Sequence, residues 1–182
     1  MMPECMGGSD KLDSGDNTEP ARPHLTGNGA SGGGSEMQYH AVVRTEGKVK
    51  TVEFIDALGC QTFASAGESV ERVAQEALEG WIEAHLITGR AVPMPKGTPR
   101  ARAGKSVLTV RVPLKLAVRA AIVTRRVQLG FTQAQVAQRM KVTRQAYQQL
   151  ESPDANLRIE TLIRALEALG AQGSFTLETT AA

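Results

Sequence analysis

Residues 131–151, FTQAQVAQRMKVTRQAYQQLE, read as two short helices joined by a tight turn. Thr132 is placed to cap the first helix, which carries Val136, Ala137 and Met140 on one face. Val142 fills the turn, and Thr143 caps a second helix whose predicted inward face is Ala146, Tyr147 and Leu150. Ala137 stands where the two helices cross, and its small side chain lets the backbones approach. The outward face of the second helix then carries Arg144, Gln145, Gln148 and Gln149. Arg suits guanine O6/N7 and Gln suits adenine N6/N7, so this face is chemically fit to read base edges in a major groove. Gln133 opens the first helix where its backbone N–H and side chain can meet a phosphate, and Thr143 serves as both cap and phosphate contact.

The charge distribution around this stretch agrees. Residues 1–83 hold 6 Lys/Arg against 14 Asp/Glu, residues 84–150 hold 13 Lys/Arg and no acid, and residues 151–182 hold 2 against 5. The net charge of +2 therefore hides a basic block that contains both helices, the electrostatic footprint expected of a phosphate-binding protein.

The same stretch resembles the helix-turn-helix domain of the Cro and phage-repressor (XRE) family. The resemblance rests on Leu129-Gly130, Thr132-Gln133, Leu150-Glu151, Thr161-Leu162 and Ala168-Leu169-Gly170, and covers about Leu114 to Gly170. One position departs from the pattern. The turn residue usually held by Gly is Lys141, where a left-handed backbone costs a non-Gly residue roughly 1 kcal/mol and the side chain is free to face a phosphate.

Working outward, Pro113 closes a strand at Ser106–Val112 and starts a helix to about Leu129, with Leu114, Ala117, Val118, Ala121 and Ile122 on one predicted face. After the two-helix unit, a loop with Pro153 and Asp154 leads to a last helix, Ile159 to Leu169, apolar at Ile159, Leu162, Ile163, Leu166 and Leu169. Gly173 opens a tail (171–182) in which Phe175 and Leu177 suggest a short strand. Toward the N-terminus, Tyr39–Arg44, Val49–Phe54 and Cys60–Ala64 read as strands, and Ser69 caps a long helix from Val70 to about Thr88. Residues 91–104 are Pro-rich and basic, a loop whose Lys96, Arg100, Arg102 and Lys105 are read as linker charges or, alternatively, as phosphate or minor-groove contacts. Residues 1–36 are rich in Gly, Ser, Asp and Pro and cannot bury enough apolar surface to offset their ordering entropy, so they are expected to be disordered. Met37, directly before the first patterned residues, is a second candidate start of translation.

The first half has a resemblance of its own. Tyr39-His-Ala-Val-Val, FIDALGCQTFASAGESVE from Phe54 to Glu71, the long helix and the Pro93-Met-Pro95 segment are similar to a HicB antitoxin domain over about Met37 to Val112. Phe54, Asp56, Gly59, Cys60, Gly67, Glu68, Ser69, Pro93 and Pro95 fit the pattern, while Ile55 and Ala57-Leu58 depart from the usual Pro and Leu-Pro. The resemblance implies a partial RNase H-like fold without catalytic carboxylates that masks a small mRNA-cleaving toxin, HicA, and represses the shared operon.

The expected architecture is therefore α+β: a disordered start (1–36), a HicB-like domain of antiparallel strands and one long helix (37–112), an all-α helix-turn-helix domain (113–170) and a tail. The expected function is an antitoxin and autorepressor rather than an enzyme. Its partners would be a HicA-like toxin, double-stranded operator DNA and a second copy or more of the same chain. Two alternatives stand beside it: a helix-turn-helix regulator that uses the first domain for dimerisation or ligand sensing, and an RNase H-like nuclease, for which the strands offer only Glu46, Glu53 and Asp56. Asp56 reads as a turn former, Cys60 as a small buried residue, and Tyr39, Trp81 and Met94 as packing, with Trp81 also a candidate dimer or toxin contact. His24, His40 and His85 share no ligand spacing, so no metal and no cofactor are expected. Two cysteines, Cys5 and Cys60, build no disulfide framework, and no apolar run reaches membrane length, which points to the cytoplasm.

Overall fold

A computed structural model describes residues 37–96 and 106–171. The expectations of disorder at the start, of a strand in the tail and of linker charges at Arg100, Arg102 and Lys105 lie outside these residues.

Within them the fold is α+β, with a four-stranded antiparallel sheet and five helices. The elements run β1 (Gln38–Glu46), β2 (Val49–Phe54), β3 (Gln61–Ala64), α1 (Val70–Ile87), β4 (Ser106–Arg111), α2 (Leu114–Gln128), α3 (Gln133–Arg139), α4 (Arg144–Glu151) and α5 (Ile159–Ala168). The sheet order is β3-β2-β1-β4. Alternation puts Tyr39, Ala41 and Val43 of β1, Val52 and Phe54 of β2 and Val110 of β4 on one face. Helix α1 covers that face with Ala74, Leu78 and Ile82, all fully buried at helical spacing. Ser69 caps the helix by accepting from the Arg72 N–H at 3.2 Å. The turn from β2 to β3 closes where Gly59 takes φ 82°, which lets the Cys60 N–H donate to the Ala57 carbonyl at 2.9 Å.

The four C-terminal helices enclose a second core of Ile122, Val136, Ala137, Met140, Tyr147, Leu150, Leu162, Ala165 and Leu169. Helix α2 belongs to both. Leu116, Ala120 and Val123 complete the core under α1, while Val118, Ile122 and Leu129 line the second. A buried hydroxyl strengthens the seam: Thr124 Oγ1 accepts from the Val92 N–H at 2.9 Å and donates to the Val92 carbonyl at 3.3 Å.

The packing corrects the sequence reading in three places. The apolar stripe assigned to α2 mis-set its inward face. Leu114 is 75% exposed and Ala121 is exposed, whereas Arg119, Thr124 and Arg126 are buried. A helix packed on two sides has no single stripe to find. In α4, Ala146 is exposed because contact with α2 and α3 is confined to Tyr147, Leu150 and Glu151. In α5, Ile159 and Ile163 face solvent and Ala165 takes the inward place beside Leu162 and Leu169. A boundary drawn between residues 112 and 113 therefore cuts through a shared core rather than through a linker.

Two buried groups link the stability of this fold to alkaline pH. Burial pushes the Cys60 thiol up from 9.0 to about 11 and, with the negative charges of Asp56 and Cys60 adding to it, the Tyr39 phenol from 10.0 to about 12. Both folded values lie above the unfolded ones, so the stability these two groups contribute is fully present below about pH 9 and is lost as pH rises toward 12. Chemical denaturation from pH 8 to 12 should show that decline, and Cys60→Ala should remove the part that begins near pH 9.

Candidate nucleic-acid interface

Helix α2 ends at Gln128, Gly130 beyond it takes φ 68°, and Thr132 starts α3 with a complete capping box. Its hydroxyl accepts from the Gln135 N–H at 3.2 Å, and Gln135 Oε1 accepts from the Thr132 N–H at 2.8 Å. The turn out of α3 closes when Lys141 N–H donates to Gln138 O at 3.1 Å and Val142 N–H to Ala137 O at 3.0 Å. Lys141 takes φ 55°, the only non-Gly positive φ among the described residues, at the position where the sequence pattern calls for glycine. Thr143 caps α4 by accepting from the Ala146 N–H at 3.1 Å, which leaves its own O–H free to donate to a phosphate. Ala137, 2% exposed, lies in the crossing of α3 and α4.

This framework turns Arg144, Gln145, Gln148 and Gln149 outward together. All four are exposed, and none of their side chains has a hydrogen-bond or ionic partner among the described residues. Gln133 lies elsewhere. Its side-chain amide donates to Glu151 Oε2 at 2.7 Å, so it braces the framework from within and only its backbone N–H remains at the helix start. Lys141 is exposed at the turn. Arg139 stacks over the Phe131 ring at 3.9 Å, and Arg164 donates to the Met140 carbonyl, so both shape the turn region as well as charge it.

The sequence reading missed the group that holds the interface. Arg126, at the end of α2, meets Glu151, at the end of α4, in a fork: Nε donates to Oε1 at 2.6 Å and Nη2 to Oε2 at 3.0 Å. Their side chains are 8% and 2% exposed. Arg126 also donates to the Phe131 carbonyl at 3.2 Å and the Gly89 carbonyl at 3.4 Å. Burial alone would lower the Arg126 guanidinium, but the Glu151 carboxylate overrides it and holds the proton more firmly than usual. Burial, reinforced by the same carboxylate, raises the Tyr147 phenol. One signal in the sequence pointed here: Glu151 is the first acid after Glu83. Arg119 is likewise internal, donating to the Lys115 and Ala155 carbonyls. Two of the thirteen charges in the basic block therefore serve the fold and not a phosphate.

Residues 122–173 match the family model described as helix-turn-helix. This segment is a helix-turn-helix domain. Its kind, that of the Cro and phage-repressor proteins, supports a regulator of transcription that binds DNA in a sequence-specific way. No curated protein matches the chain. The match begins inside α2, so the helix-turn-helix domain shares its first helix with the sheet domain before it.

The remaining candidates are occupied locally. Glu53 pairs with Arg44 at 3.3 Å, and Asp56 accepts from the Lys96 N–H at 3.1 Å. His40 meets Thr109 Oγ1 at 3.1 Å, and His85 lies against Trp81 with ring centroids 4.1 Å apart. Among the described residues no three His, Cys, Asp or Glu are placed to hold a metal, and no helix is long and apolar enough to cross a membrane.

Breaking the buried pair from one side should be costly. Glu151→Ala leaves the Arg126 charge buried without its partner and should destabilise the protein by about 3–5 kcal/mol in urea unfolding, against less than half of that for the exposed Gln149→Ala.

Proposed function

We propose that this protein is an antitoxin that also represses its own operon: the sheet domain neutralises a small mRNA-cleaving toxin of the HicA kind, and the helix-turn-helix domain, as a homodimer or higher multiple, binds the operator. The work is binding, without chemistry by the chain itself. What carries this reading is the surface formed by the residues behind the HicB resemblance. The Ile55–Gly59 turn is tied to α1, where Trp81 Nε1 donates to the Leu58 carbonyl at 3.2 Å. It is tied to the Pro-x-Pro segment where Asp56 accepts from the Lys96 N–H. Tyr39 O–H donates to the Pro93 carbonyl at 2.6 Å, which fixes that segment to β1. The result is a rigid edge that presents Leu58 at 85%, Ile55 at 40% and Met94 at 40% exposure. Helix α1 also carries Glu71, Glu76, Glu79 and Glu83 against Arg72. An apolar edge on a domain with an acidic helix suits a small basic RNA-binding partner.

On the DNA side, Arg144, Gln145, Gln148 and Gln149 are the base readers of the proposal, with Thr143, Lys141 and the Gln133 backbone positioned for phosphates. Arg144→Ala should weaken operator binding by about 1–3 kcal/mol and relax base preference at one operator position, measured by titration over a set of single-base operator variants. Unchanged affinity and preference would remove α4 as the reader.

The toxin side is tested by co-expression with a small basic mRNA-cleaving protein of the HicA kind from the native host. Neutralisation should appear as restored growth and a stoichiometric complex. Leu58→Glu should abolish both while operator binding by the isolated variant stays intact. A chain that binds operator but neither captures nor silences such a protein would instead be a stand-alone regulator.

A further inference from the structure

The proposed function asks for two copies of the chain, and the fold offers one edge suited to joining them. We propose that the outer edge of β4 pairs antiparallel with β4 of a second copy about a two-fold axis at Leu108, making one continuous sheet across the dimer. The inference rests on the reading of the chain as a dimeric operator binder and adds the surface that makes the dimer.

The backbone directions follow from the ladder. Val112 N–H donates to the Met37 carbonyl at 2.9 Å, and β1 and β4 are in register as Tyr39↔Val110 and Ala41↔Leu108. In an antiparallel pair alternate residues point their N–H and C=O to the same side, so Leu108 and Val110 face β1 while Val107 and Thr109 face outward. Arg111 confirms the alternation, since its carbonyl accepts from Gln75 Nε2 at 3.0 Å on the outer side. Beyond that contact, no described residue is recorded bonding to the outward groups of Val107 and Thr109.

Exposed edges are ordinarily blunted by charge, Pro or a bulge. Within β4 only its last residue, Arg111, is charged; Ser106 to Val110, SVLTV, has no charge, Pro or bulge, and β3 at the other edge is only four residues long. A groove of about 260 Å³, lined by Glu71, Gln75, Leu108, Thr109, Val110 and Arg111, runs beside the strand. The edge is also self-complementary. Centred on Leu108, Val107 of one copy exchanges both backbone hydrogen bonds with Thr109 of the other, and the symmetric pair repeats this. The two Leu108 side chains meet on the α1 side, and Val107 lies beside the partner's Thr109 on the opposite face.

Leu108 is six residues before the start of α2 at Leu114, about 20 Å of extended chain, so a two-fold axis at Leu108 sets the two α2 starts about 40 Å apart, one on each side of the axis.

The test uses the full chain. Thr109→Pro removes an outward N–H and no bond of the β1–β4 ladder, and should raise the dimer dissociation constant about 10–100-fold in sedimentation equilibrium, with the far-ultraviolet circular dichroism spectrum of the folded chain retained. As a second readout, Leu108→Cys with Cys5→Ser should form an intersubunit disulfide under mild oxidation, because residue 108 faces its own copy at close range, while Ser106→Cys in the same background should not. The cross-linked dimer should still bind operator. A dimer unaffected by Thr109→Pro together with no Leu108→Cys cross-link overturns the proposal, and so does cross-linking at position 106 instead. Operator binding by such a dimer would leave the DNA-reading function standing, so the two failures are told apart.

Discussion

The buried ion pair between Arg126 and Glu151 is the constraint on which the DNA-reading end depends. Taking both charges out of water costs several kcal/mol per ion, and the cost is offset only because the fork is bidentate and the remaining donors and acceptors are used. Glu151 also takes the Gln133 amide, and Arg126 also reaches the Phe131 and Gly89 carbonyls. One guanidinium thus joins the end of α2, the entry to α3, the last turn of α4 and the segment that leaves α1. An apolar pair of equal volume would satisfy the core, but it would not set the angle at which α4 leaves its neighbours.

Seen from that pair, the composition of the chain makes mechanical sense. Sixty-seven residues without an acid would repel one another if all their cations lay on the surface. Withdrawing Arg119 into backbone carbonyls and Arg126 into Glu151 removes two of them while leaving Arg144 and Lys141 outside. Lys141 holds a left-handed turn at about 1 kcal/mol of backbone strain, and the surrounding caps at Thr132 and Thr143 over-determine the turn enough to keep it there.

Much of this was legible in the amino-acid order, for local reasons. Caps and breakers placed the element ends: Ser69, Thr132, Thr143 and Pro113 each stand one residue before the helix they begin. The outward set Arg144, Gln145, Gln148 and Gln149 was legible because a two-helix unit with Tyr147 and Leu150 inside leaves no other face for them. What was not legible depended on partners distant in sequence. The hydrophobic period assumes one buried side, so it misjudged Leu114 and Ala121 on a helix with two. A basic residue in a basic block gives no sign of being internal, so Arg119 and Arg126 were counted as surface charge. Gln133 was assigned a phosphate because the carboxylate that takes its amide lies 18 positions away.

The double membership of α2 has a consequence for how such proteins can be recombined. Domain shuffling works when each module carries a finished surface at the joint. Here the joint is a helix with Leu116, Ala120 and Val123 serving one core and Ile122 the other, closed by the Thr124 clasp on Val92. A DNA-binding module grafted from another protein at Pro113 would arrive with the wrong face for α1, and a sheet domain cut there would expose its own underside. In this architecture neither half can be exchanged alone, and the two halves inherit one another as a unit.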